Sequence, residues 1–221
     1  MANNKRKRVR LTTPTGVASY PYLTKPDTQF NSDGDFKVDL VLDKEEHADF
    51  LARIDELAEK AFDKAVKQLK KEKKMAQAKQ LEKHIPYEDI YDEETGEPTG
   101  QVKVKFKSKA KFKRKDGSVA HVEVALFDAQ GKAINPKNIS IYGGSIIKVN
   151  FTPNEFHATG LKLAGISLRL NAVQIIELVS DGGNAGSFGF DKVDDGYSFD
   201  DDSAVTEEGE EEEGELEGTD F

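Results

Sequence analysis

Hydrophobic and polar residues alternate through the first part of the chain. Phe36, Val38, Leu40 and Leu42 fall on one parity, and Lys37, Asp39 and Val41 fall on the other. A period of two is that of a strand with one buried face, so residues 9–42 read as strands broken by turns. At Asp43 the period changes. Phe50, Ile54, Leu57, Ala61, Ala65 and Leu69 recur at steps of three and four, the stripe of an amphipathic helix. Asp43 is the expected N-cap, with Glu46 closing a capping box. Beyond Leu69 the helix turns basic at Lys70, Lys71, Lys73 and Lys74 and its apolar face fades. Pro86, Gly96, Pro98 and Gly100 then predict an acidic loop over 87–100.

Residues 101–179 return to strand periodicity. Ile147, Val149 and Phe151 oppose Lys148 and Asn150; Ile166, Leu168, Leu170 and Ala172 oppose Arg169 and Asn171. Phe36, Phe50, Phe62, Phe106, Phe112 and Phe151 are assigned to the core. Several short strands around one inserted helix (about 43–82) predict a mainly β fold, an OB-fold built as a five-stranded Greek-key barrel, over residues 1–180. From Asp181 the hydrophobic content falls. Gly182, Gly183, Gly186 and Gly189 make a flexible link into an acidic run, so 181–221 is expected to be a disordered tail.

Within the second strand-rich region one pattern stands apart. Lys103, Lys105, Lys107, Lys109, Lys111 and Lys113 occupy every second position, against Val102, Val104, Phe106, Ser108, Ala110 and Phe112. Same-face neighbours in a strand lie about 6.6 Å apart, so this is a row of cations at a pitch suited to successive phosphates. Each neutralised phosphate releases counterions, giving salt-sensitive, sequence-blind binding. The turn at Asp116-Gly117 sets the register. A three-residue loop with Gly117 left-handed pairs Arg114 with Ser118, Lys113 with Val119 and Lys111 with His121. Continued inward, the same count places Lys107 opposite Ala125 and Lys105 opposite Phe127, leaving His121 and Phe127 among the lysines. A two-residue loop mixes charge into the apolar face instead. The competing reading of the strand is a solubilising or edge-protecting face, which mixed charge would serve better than six like charges.

Charge sharpens the contrast. The total is −9, yet residues from Asp181 onward hold sixteen acidic and one basic residue (Lys192), a net −15, so residues 1–180 carry +6. Absence of cysteine excludes disulfides, thiolate metal sites and thiol catalysis. No apolar run approaches the roughly 20 residues of a membrane span, and the basic start (Lys5, Arg6, Lys7, Arg8, Arg10) lacks the apolar segment of a signal peptide. A soluble intracellular protein is expected. His47, His84, His121 and His157 are dispersed, so no metal site, cofactor or enzymatic activity is predicted. Gly143-Gly144 opens no helix and is read as a turn.

Single-strand binders combine cations with aromatic platforms for bases. Tyr20 and Tyr22 flank Pro21 near Lys25; Phe156 lies in the turn-like stretch 152–157; Phe127 follows from the register above. Lys148 and Arg169 are outward cations able to extend the track.

Tyr20 to Asp27, then Phe36 to Leu40, then Gly143-Gly144-Ser145 leading to Lys148-Val149, and the acidic run closing on Asp220-Phe221 together resemble the phage T-seven-type single-stranded DNA-binding proteins. The resemblance implies an OB-fold that coats single-stranded DNA in phage replication and recombination, in the cytoplasm of a bacterial host, as a homodimer. It also implies that the tail, through Asp220 and Phe221, docks the phage DNA polymerase and helicase-primase. The family places aromatics in the loop occupied here by Asn154 and Phe156; Asn154 departs from that pattern. Sequence-independent binding of single-stranded DNA, with a tail that competes for the same groove, is the expected function. An acidic chaperone or DNA mimic binding basic partners, and an RNA-binding OB protein, are the rivals. A nuclease is disfavoured because the body shows no carboxylate cluster.

Overall fold

The computed structural model describes residues 9–114 and 116–179. In chain order it contains β1 (Leu11–Thr12), β2 (Gly16–Asp27), β3 (Asp35–Asp43), α1 (Ala48–Lys71), α2 (Met75–Lys79), β4 (Glu82–His84), β5 (Tyr87–Tyr91) and β6 (Pro98–Lys109). These are followed by β7 (Lys111–Lys113), β8 (Val119–His121), β9 (Ala125–Phe127), β10 (Ala133–Ile134), β11 (Ile146–Ala158) and β12 (Leu163–Glu177).

Five long strands close on themselves in the order β2, β3, β6, β12, β11, with β11 pairing back to β2 at Ile146↔Val17. Counting these five along the chain, the spatial order is first, second, third, fifth, fourth, with the third and fifth parallel. That is the Greek-key barrel of the OB-fold. The period-two pattern decides which side faces in. Val38, Leu40, Val104, Phe106, Val149, Phe151, Ile166 and Leu170 are all at most 2% exposed and fill the barrel. Burying a side chain of this size stabilises by about 1.5–3 kcal/mol before the entropy cost, so the barrel interior dominates the driving force.

The helix packs its apolar stripe against the barrel. Leu51, Ile54, Ala58 and Ala61 are buried, and Phe50 meets Phe151 edge-on at 6.2 Å. Asp43 does not cap α1: its Oδ1 accepts from the N–H groups of Glu45 and Glu46, both 2.9 Å, in the turn ahead of it, and the helix begins at Ala48. At the other end Lys73 adopts φ +60°, with Lys74 N–H donating to Leu69 O and Lys73 N–H to Lys70 O. This is the paired hydrogen-bond pattern of a Schellman stop, here without the usual glycine. A second small cluster of Ala65, Leu69, Leu81 and Ala164 fixes the helix end against β12.

The acidic stretch after Pro86 is not a plain loop. β5 pairs antiparallel with β6, at Tyr87↔Val104 and Glu88↔Lys103, because Tyr87 packs on the core while its hydroxyl donates to Asp55 on α1. Among the described residues no helix is long and apolar enough to cross a membrane, and no group of acidic or histidine side chains is arranged to hold a metal ion.

Candidate nucleic-acid interface

The lysine row begins on the outer face of β6. Val102, Val104, Phe106 and Ser108 point in and are buried, while Lys105, Lys107 and Lys109 are exposed and Lys103 half-buried. At Ala110 the strand leaves the barrel. Its N–H donates to Gly34 O, its carbonyl accepts from Val122 N–H, and Lys111 and Lys113 continue on the separate hairpin β7–β8. That hairpin has the expected register, Lys111↔His121 and Lys113↔Val119, with Gly117 at φ +85° and Arg114 N–H bonded to Ser118 O.

Further inward the expected pairing fails. Both edges of β6 are already occupied, by β3 on one side and by β5, Pro86 and β12 on the other. A strand has two edges, so β9 cannot pair there. It runs parallel to β12 instead, at Ala125↔Ala172 and Phe127↔Gln174. Phe127 therefore stands apart from the lysines that alternation placed around it. Phe112, expected in the core, is 46% exposed, because its hairpin has left the barrel interior. Phe156 is not in a turn: β11 runs unbroken through it, paired at Phe156↔Gly165, and its ring packs edge-on against His84 at 5.3 Å.

What tertiary pairing adds is a second direction. Tyr22 on β2 pairs with Lys37 on β3, Lys37 with Lys107 on β6, and Lys107 with Arg169 on β12. Paired residues share a face, so the four side chains form a row across four strands at about 4.8 Å per strand. A bulge puts Tyr22 there. The register passes from Ser19↔Asp39 to Tyr22↔Lys37, three residues of β2 against two of β3, with Tyr20 at φ +46° before Pro21. The extra residue inverts the phase of β2, so Ala18 is buried before the bulge and Leu23 after it. Lys37 Nζ lies 4.8 Å from the centre of the Tyr22 ring. Tyr20 itself is 75% exposed, and Lys25 is exposed further along β2.

A groove of about 1180 Å³ opens over the Lys107–Arg169 end of this row, lined among others by Lys105, Lys107, Lys109, Arg169, Phe112 and His84. Gly165 lets β4 approach: a Cβ there would lie 2.2 Å from His84 O, so only glycine brings the His84 strand against β12. Burial, and secondly Lys105, push the His84 imidazole below its ordinary pKa.

The cations are not bare. Lys103 and Lys105 share Glu88 at 3.2 and 2.7 Å, Lys107 holds Asp35 at 2.9 Å, and Lys37 holds Asp27 at 2.6 Å. The hydrogen bond from Lys37 holds the Asp27 carboxyl below its usual range and raises Lys37 in turn; Lys105 likewise lowers Glu88. Lys109 and Arg169 have no ion-pair partner among the described residues. A phosphate must therefore displace a carboxylate at Lys37, Lys105 and Lys107, but not at Lys109 or Arg169.

Sequence reasoning missed Phe112 and His84 as groove residues and Lys37 as a member of the row beside it; it also passed over Phe30, which is 86% exposed between β2 and β3 and does not line the groove. Outward alternation of Lys37 was a usable signal; that Lys107 and Tyr22, both candidates already, flank it was not, because cross-strand register is not written in spacing. Lys148 lies outside this groove, and Asp220 and Phe221 lie outside the described residues.

The family described as single-stranded DNA-binding protein of bacteriophage T7 matches residues 15–178. The single-stranded DNA-binding protein of enterobacteria phage T3 is 31% identical over 203 residues, covering 86% of this chain and 85% of that protein. The crystal structure of the single-stranded DNA-binding protein encoded by bacteriophage T7 aligns with a TM-score of 0.65 at 25% identity, over 88% of this chain and 100% of that one. A single-stranded DNA-binding protein from bacteriophage Enc34, solved in complex with single-stranded DNA, shares the fold at 17% identity and a TM-score of 0.50, over 79% and 89% of the two chains. These relatives are a non-enzymatic class. With most of the barrel matched in sequence and the same barrel in the T7 protein, this chain belongs to the bacteriophage T7 family of single-stranded DNA-binding proteins.

Proposed function

We propose that the protein binds single-stranded DNA without regard to sequence, along the row Tyr22, Lys37, Lys107 and Arg169 and in the groove over its Lys107–Arg169 end. The observation that carries this is the row itself: three cations and an aromatic ring in register across four strands, in a member of this family. Lys105 and Lys109 flank the row, and Tyr22 and Phe112 supply faces on which bases stack, each worth about 1–3 kcal/mol. Rows of cations spaced by strand geometry read charge and not base edges, which supports sequence-blind binding. The setting is DNA replication and recombination of a phage in the cytoplasm of its bacterial host, with the protein acting as a homodimer.

The acidic segment 181–221, at net −15 against +6 for the rest, competes with DNA for the same cations. Once DNA displaces it, Asp220 and Phe221 recruit the phage DNA polymerase and helicase-primase. The four ion pairs already present in the groove region support such competition, since they have carboxylates satisfying these lysines.

The test is a salt-dependent anisotropy titration with single-stranded DNA, single-stranded RNA and duplex DNA of equal length, for the full chain and for a deletion of 200–221. Tight, salt-sensitive binding of single-stranded DNA over duplex is expected, with the deletion tightening it at low salt and the gain fading as salt rises. Equal affinity for duplex would refute the single-strand reading; preference for RNA would reassign the ligand. Unchanged affinity on deletion would refute the competition.

A further inference from the structure

A second groove, of about 620 Å³, lies over the outer face of β11 and β12. Its floor is Lys148 and Asn150 from β11 with Asn171 and Gln174 from β12; Arg10 beside β1 and Phe127 on β9 line its sides. We infer that this is a second segment of the polynucleotide path, taking the same single strand after it leaves the Lys107–Arg169 row. The inference rests on the single-stranded DNA reading of the first groove.

Three observations carry it. First, the charge is uncompensated: Arg10 and Lys148 have no ion-pair partner among the described residues, and no carboxylate side chain lines the groove. The carboxylate of the adjoining β9–β10 turn, Asp128, is spent on the N–H groups of Gln130 and Lys132. In the first groove, by contrast, carboxylates hold Lys105 and Lys107.

Second, the two grooves are continuous along β12. Arg169 lines the first and Asn171 the second. They are alternate residues on one strand face, so they lie about 6.6 Å apart. Asn171 Nδ2 also donates to Thr152 Oγ1 (3.0 Å), and Thr152 is the register partner of Arg169. From there an amide ladder crosses β11: Asn171 donates to Asn150 Oδ1 (3.3 Å), and Asn150 to Thr12 Oγ1 (3.1 Å). From Arg169 to Gln174 the strand advances four register steps, Thr152 to Lys148 on β11, or roughly 13 Å, room for about two further nucleotides of an extended strand.

Third, the lining is of the right kind for a nucleic acid. Two cations suit phosphates, the half-buried Phe127 ring suits a base, and the amide oxygens of Asn171 and Gln174, whose N–H groups are already bonded, can accept from a base N–H. Gln174 Nε2 donates to the carbonyls of Asp128 and Ala129, tying β12 to the turn that follows Phe127. That side of the groove is therefore built in place before ligand arrives.

The path has a length signature. Replacing Arg10 and Lys148 together (Arg10→Gln with Lys148→Gln) keeps the apolar stems and removes both charges. Single-strand contacts contribute about 0.7 to the salt slope per phosphate, so two lost contacts make the slope shallower by about 1.4 and cost about 25-fold at 0.1 M salt. The probes are oligothymidylates of about 6 and about 16 nucleotides, near the two ends of the range that one OB-fold covers. The double variant is expected to lose about 25-fold on the longer oligonucleotide and to match the parent protein on the shorter. Equal loss at both lengths, or no loss at either, overturns the inference. Tighter binding of the longer oligonucleotide also overturns it, by assigning the groove to an anionic competitor such as the acidic segment. Failure of the parent protein to bind either probe overturns the first-groove reading instead. An unchanged thermal midpoint checks that the variant is folded.

Discussion

Arg169 and Lys107 are register partners on adjacent strands, yet removing them should not have equal effects. Single-stranded binding weakens with salt at about 0.7 decade per decade for each neutralised phosphate. Taking 1 M salt as the reference where that contribution vanishes, one contact is worth about 0.7 decade at 0.1 M, or about 1 kcal/mol. Arg169 has no ion pair to surrender among the described residues, so Arg169→Gln should cost about fivefold at 0.1 M and flatten the slope by about 0.7. Lys107 Nζ must first leave Asp35 Oδ2 at 2.9 Å. With Lys107 64% exposed, that pair is worth about 0.2–1 kcal/mol, which offsets much of the gain. Lys107→Gln should therefore cost at most about fourfold, with a smaller change of slope. The assay is fluorescence anisotropy of a labelled oligothymidylate from about 0.05 to 0.5 M NaCl, a range over which the Debye length shortens severalfold. An unchanged slope for Arg169→Gln refutes the placement of Arg169 on the track. A larger loss for Lys107 than for Arg169 refutes the idea that the Asp35 ion pair discounts the Lys107 contact.

Asp35→Asn should tighten binding by up to about fivefold at low salt by releasing Lys107, with little loss of stability; the buried Asp35 Oδ1 has no hydrogen-bond partner to lose. His84, held below its ordinary value near 6.5, is the neutral form in the free protein at pH 7, and a phosphate alongside favours the cation. Binding should take up a proton and strengthen as pH falls from about 7 to 5.5, and His84→Gln should flatten that profile. The same depression means the unfolded chain binds this proton more readily, so the contribution of His84 to stability declines as pH drops through about 6.5. Phe112→Ala should cost about 1–3 kcal/mol of binding with the salt slope unchanged, read by the same titration. Lys73→Gly should raise stability by about 0.5–1 kcal/mol in urea unfolding, because glycine removes the side-chain penalty at φ +60° while keeping both Schellman hydrogen bonds.

Alternation in the sequence determined which side chains face the barrel interior: Phe36 to Leu42, Val102 to Phe106, Ile147 to Phe151 and Ile166 to Leu170 all follow it. It also determined the β7–β8 hairpin, because Asp116-Gly117 and the lysine parity admit one loop length, and a contact two or three residues across a turn is local information. Tertiary structure decided everything that depends on which strand lies beside which. The edges of β6 are filled by β3, β5 and β12, so Phe127 is carried to β12 and Lys107 meets Lys37 and Arg169 instead. The Tyr20–Pro21 bulge reverses the phase of β2 and brings Tyr22 outward, and the hairpin's departure at Ala110 exposes Phe112. The physical reason is that a strand's period specifies two faces but leaves its two edges identical in hydrogen-bonding capacity. Neighbours are then chosen by barrel closure and by what else competes for each edge.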